Sequence, residues 1–215
     1  MAKNMIIKRG AKLGAAALCA AAIAGGGLAL DAGVAGATGN ATITVTGGSL
    51  TLTAPTTLTW AVTLNGSNQT VVDAVSGDQQ MTVNDATGTG AGWHITVSGT
   101  TFTNGAHTLP DAGTFSTTGS KTSSSAATGY TTACVAATTC TLPTNSTSYP
   151  VAVTTAASSP TAVTIFDTAA ATGVGQILIG GSASANPVGW WVNVPSNAFA
   201  GAYTSTVTIA IVSGP

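Results

Sequence analysis

MTVNDATGTGAGWHITVSG, residues 81–99, sets two alternating runs on either side of a glycine loop. Met81 and Val83 share one face of the first run. In the second, Trp93, Ile95 and Val97 fall on one face and His94, Thr96 and Ser98 on the other. Period-two alternation is the mark of a half-buried β-strand. Gly88, Gly90 and Gly92 tolerate positive φ, so the chain can reverse between the runs at low steric cost. A tryptophan just past such a loop is a natural core anchor. The stretch therefore predicts two consecutive strands and, with them, an all-β domain.

The same alternation recurs along the chain. Ile43/Val45, Leu50/Leu52, Leu58/Trp60/Val62/Leu64, Val163/Ile165 and Ile177/Ile179 each predict a strand. So do Trp190/Val192/Val194 and Val207/Ile209/Ile211, the last of which is expected to pair inside a sheet. Asn65-Gly66, Ser76-Gly77, Asn104-Gly105, Gly180-Gly181 and Asn186-Pro187 supply turn chemistry between them. Short strands at this spacing predict a β-sandwich or a Greek-key-like barrel. Residues 113–132 and 152–162 are rich in Ser, Thr and Ala and read as long surface loops with at most short edge strands. Beyond the first residues, no segment holds helical periodicity over eleven positions.

Composition agrees. Charged residues make up 5% of the 215-residue chain, against about 25% in ordinary soluble domains. Glutamate is absent, and threonine fills the polar positions of the alternating runs, where it suits a pleated surface. The beginning of the chain reads separately. Lys3, Lys8, Arg9 and Lys12 precede an apolar, alanine-rich run, and Ala35-Gly36-Ala37 offers a small-residue cleavage site. That is the layout of a secretory signal peptide over residues 1–37, leaving one domain over residues 38–215. The exported part would hold one lysine, Lys121, against five aspartates. A chain with a single lysine builds no basic patch, so nucleic acid is excluded as a partner. It also has no apolar run after the last strand to span a membrane. Leu142-Pro143-Thr144-Asn145 is similar to the start of a sortase signal, but it lacks the closing glycine and the apolar tail.

Export places Cys134 and Cys140 in an oxidising compartment, where an even count reads as a disulfide. Closing so short a loop contributes roughly 2–2.5 kcal/mol.

No catalytic constellation is evident. Gly88 to Gly92 precede a strand, whereas a dinucleotide loop opens a helix. His94 alternates with Trp93 and should face solvent, away from any nucleophile. Without glutamate, paired carboxylates would have to come from the aspartates, and Asp73 and Asp78 sit in turn-like sequence. A calcium site from Asp73, Asp78 and Asp85 lacks the dense acidic spacing of known loops. The expectation is a protein that is not an enzyme and carries neither metal nor cofactor. The tryptophans are the candidates for binding. Trp190 and Trp191 are adjacent, so in a strand they point to opposite sides. One is then expected in the core and the other outward beside Asn193, where an indole and an amide would suit a glycan.

The run Val83-Asn84-Asp85-Ala86-Thr87-Gly88-Thr89-Gly90-Ala91-Gly92-Trp93-His94-Ile95 resembles the first motif of the WxL cell-surface family of Gram-positive bacteria, with Ile95 in place of leucine. The lead-in at residues 200–203 and the closing strand are similar to the family's C-terminal part, where Ile209 and Ile211 replace its second motif. This resemblance implies noncovalent attachment to the cell wall, chiefly to peptidoglycan, and assembly with other exported surface proteins. It marks Asp85, Gly88, Gly90 and Gly92 as motif residues and Trp93, Ile95, Trp190, Trp191 and Asn193 as wall-binding candidates. The alternative is a structural or adhesive subunit that joins its neighbours by β-strand addition at a sheet edge.

Overall fold

The computed structural model describes residues 40–215, so the expected signal peptide lies outside the described residues. Residues Thr44–Pro215 form one compact unit. The strands are β1 (Leu50–Thr53), β2 (Gln69–Val72), β3 (Gln80–Asp85), β4 (Trp93–Gly99), β5 (Thr103–Asn104), β6 (His107–Thr108) and β7 (Phe115–Thr118). They continue with β8 (Thr132–Cys134), β9 (Val151–Val153), β10 (Val163–Asp167), β11 (Gly175–Gly180), β12 (Gly189–Val194) and β13 (Val207–Ser213). One 3-10 turn, Ser76–Gln79, precedes β3, and no α-helix occurs among the described residues. None of them forms a helix long and apolar enough to cross a membrane.

The strands make three antiparallel sheets, in the orders β1-β3-β11-β8, β10-β4-β13 and β2-β12-β7-β9, with β5 and β6 as a separate hairpin. The fold is all-β with sandwich-like packing, and no barrel closes. The three sheets share one core. Met81 and Val83 of β3, Ile177 and Ile179 of β11 and Trp93, Ile95 and Val97 of β4 enter it alternately, as the period of two requires. Phe115 of β7 and Trp190 of β12, on neighbouring strands of one sheet, stack side by side within it with centroids 6.1 Å apart.

In β10 a register shift breaks the alternation. The pairing of β10 with β4 shifts between Thr164 and Phe166, so Ile165 and Phe166 are both fully buried. A bulge turns two successive side chains inward. Phe166 thereby stacks on Trp93 at 5.6 Å and on Tyr130 at 6.3 Å. Tyr130 and Tyr149 meet edge to face at 4.9 Å. Their hydroxyls reach Thr117 Oγ1 and the Ile165 carbonyl, at 2.7 and 2.6 Å. Burial pushes both phenols well above the usual tyrosine range.

Four expectations fail locally. Leu58 and Trp60 pack against the core, but residues 58–64 form no ladder and Val62 and Leu64 are exposed. Ile43 and Val45 also lie outside any strand. Residues 113–132 are not simply loop, because β7 is an interior strand between β12 and β9. The last strand, β13, pairs with β4 along its whole length, yet it is the edge of its sheet and not an inner strand. The Cys134–Cys140 disulfide is present and ties the end of β8 to the loop after it.

Candidate functional site

The motif loop is built as its residue types demand. Asp85, buried at the end of β3, accepts from the Thr87 N–H at 3.0 Å and from the Thr87 hydroxyl at 2.6 Å. Gly88, Gly90 and Gly92 all hold positive φ. Gly92 is the most constrained: φ is +78°, and a Cβ there would meet the Thr168 carbonyl oxygen at 2.6 Å. The backbone must approach this closely because Thr168 N–H donates to the Trp93 carbonyl at 3.0 Å. The Trp93 indole N–H in turn donates to the Gly173 carbonyl at 2.8 Å. The loop thus delivers Trp93 into the core and clamps residues 168–173 over it.

That placement corrects the contact residues. Trp93 and Ile95 are fully buried and offer no face to a ligand. The expected division of Trp190 and Trp191 also fails, since both are buried. Trp190 faces the core and donates to the Asp78 carbonyl at 2.9 Å. Trp191 points to the other side of β12, as alternation requires. There the loop after β7 covers it, its indole N–H donates to the Ser120 carbonyl at 3.0 Å, and only 6% of its surface stays exposed. Asn193 is half-buried, and its amide is engaged. It accepts from Thr70 Oγ1 at 2.6 Å and donates to the Gly113 carbonyl at 2.5 Å. The aspartates do not converge either: no group of three metal-ligating side chains occurs among the described residues. Asp73 is buried and accepts the N–H groups of Thr59 and Val75. Burial first, and then the nearby Asp73 carboxylate, push the Asp78 carboxyl up.

What the motif strand presents outward is polar. His94, Thr96 and Ser98 of β4 face away from the core, opposite Asp167, Thr164 and Thr208 of the flanking strands. At one end of this face lies a polar pocket of about 420 Å³, lined by His94, Ser146, Thr147, Thr164, Asp167 and Pro215. His94 Nδ1 donates to the Gly214 carbonyl at 2.7 Å. Ser146 Oγ donates to Asp167 Oδ2 at 2.6 Å. The other carboxylate oxygen, Oδ1, and the Thr147 hydroxyl find no protein partner. Both atoms are closed off from solvent, so the groups the pocket presents are the Ser146 and Thr164 hydroxyls and the rest of the Asp167 carboxylate. The pocket escaped the sequence reading because its walls come from β4, β10 and the loop of residues 144–147, which are far apart in the chain.

A second concavity lies beyond the other end of β4. It is apolar, about 670 Å³, with Val71, Val192 and Val194 in its lining and Val62, Phe199 and Tyr203 among its other lining residues. Phe199 is 60% exposed and stacks on His107 at 3.9 Å. Comparison of the chain with protein-family models, with curated proteins and with solved structures gave no match.

Proposed function

We propose that this chain is a WxL-like surface protein, exported and held noncovalently on the bacterial cell wall through peptidoglycan, with no catalytic role. The polar pocket on the motif strand is the observation that carries this reading. Buried Trp93 and Ile95 act from within, fixing β4 so that its alternate residues form a hydroxyl-rich face. The exposed Ser146 hydroxyl, the half-buried Thr164 hydroxyl and the Asp167 carboxylate then line a pocket of donors and an acceptor, the chemistry that sugar hydroxyls and peptide amides satisfy. The motif tryptophan is a positioning residue, and the wall contact falls to the polar residues between the anchors.

Retention on purified sacculi tests it. The chain from Thr38 should sediment with peptidoglycan stripped of attached polymers. Asp167→Ala combined with Ser146→Ala should lower retention about ten-fold or more, the loss of two hydrogen bonds, one of them charge-assisted. Circular dichroism of the variant should remain that of the parent. No retention of the parent on bare sacculi would end the proposal.

A further inference from the structure

Two unpartnered features of this fold match each other. The first is the segment Ala41, Thr42, Ile43, Thr44, Val45, Thr46. Five of the six residues are β-branched, the apolar and hydroxyl side chains alternate, and Ile43 and Val45 are 86% and 84% exposed. A sequence so suited to a strand lacks only an edge to pair with. The second is the apolar groove beyond β4. Its walls include residues 61–64 and 199–202, and no backbone N–H of either stretch donates to a described residue. Val71, Val192 and Val194 supply β-branched surface between those walls. No charged residue occurs in the segment or in the groove lining.

We infer that residues 41–46 of one copy lie as an added strand in the groove of a second copy, with Ile43 and Val45 against the valine floor and their N–H and C=O groups on residues 61–64. Strand addition of this kind draws affinity from main-chain bonds and specificity from alternate side chains. The topology excludes self-filling. The segment joins the fold where Gly48 N–H donates to the Ala86 carbonyl, at the end where β3 runs into β4. Phe102 and Tyr203, in the groove lining, lie past the opposite end of β4 and ahead of β13. The seven residues of β4 span roughly 23 Å between those ends. Residues 41–47, fully extended from Gly48, reach about 23 Å, only as far as the opposite end of β4, so the segment cannot lie along the groove of its own copy. A contact between one end and the other is heterologous and propagates head to tail.

This inference stands apart from wall attachment and is tested in its absence, on the purified chain from Thr38. Sedimentation should show mass rising with concentration. Ile43→Asp with Val45→Asp, both at exposed positions, should weaken association more than about ten-fold while circular dichroism stays unchanged. A peptide of residues 40–47 should compete with it. In a mixture of two single-cysteine variants, one carrying a size tag, Val45→Cys should cross-link to Val62→Cys and not to Val75→Cys, an exposed control. A chain that stays monomeric at every concentration, association that survives the double aspartate variant, or equal cross-linking to both cysteines overturns the inference.

Discussion

Trp93 acts entirely from inside the core. Its indole fills the core against Phe166, and its N–H supplies the hydrogen that the buried Gly173 carbonyl accepts. The two contributions are separable by substitution. Trp93→Phe keeps an aromatic ring beside Phe166 but leaves the Gly173 carbonyl without its donor, a loss of about 1–3 kcal/mol. Trp93→Ala empties the site as well and should cost about 3–5 kcal/mol. Urea unfolding followed by circular dichroism should rank them in that order, and equal losses would mean that the hydrogen bond contributes nothing. The burial of Trp93 was legible in the sequence, because alternation placed it with Ile95 and Val97. The burial of Trp191 was not. Alternation correctly sends it to the opposite side from Trp190, but which side meets water is decided by the loop that brings Ser120 over β12. Nothing local to the Trp-Trp pair encodes that loop's path.

At the scale of elements, alternation reports an extended amphipathic chain and says nothing about its partners. Residues 41–46 and 58–64 carry the pattern as well as β1 does, yet only β1 lies beside an edge, that of β3. The converse case is β7. Its sequence, FSTT, reads as polar, yet Thr117 and Thr118 are fully buried. Their hydroxyls are paired with Tyr130 Oη and the Ala126 carbonyl, so burying them leaves no polar group unsatisfied. Those partners lie eight and thirteen residues downstream, outside any hydropathy pattern. The motif loop, by contrast, is encoded residue by residue, and its glycines should differ in their tolerance of a side chain. Gly88 has φ +69° and open space around it, so Gly88→Ala should cost only the left-handed strain, about 1–2 kcal/mol. Gly92→Ala adds a collision with the Thr168 carbonyl oxygen at 2.6 Å and should cost clearly more, with the clamp over Trp93 displaced. Thermal unfolding of the two variants measures the difference, and an equal effect would contradict the close approach.

The whole molecule is defined electrically by what it lacks. From Thr38 onward Lys121 is the single lysine or arginine, set against five aspartates, and its ammonium donates to the Ser182 carbonyl. The polar pocket beside β4 is likewise lined by hydroxyls, one carboxylate and the His94 imidazole, with no ammonium or guanidinium. Attachment through such a surface draws on hydrogen bonds at short range, which salt screens little, while the net negative charge acts at the range of a Debye length, about 10 Å at 0.1 M. The two ranges give opposite responses to ionic strength on two preparations of the same wall. On stripped peptidoglycan, retention should be nearly constant as salt rises from low to physiological. On sacculi still carrying anionic polymers, the protein is repelled at low salt, so retention should begin lower and climb as salt screens the repulsion. A fall in retention with salt on either preparation would instead require cationic contacts, and from Thr38 onward the sequence has only Lys121 and two histidines to make them.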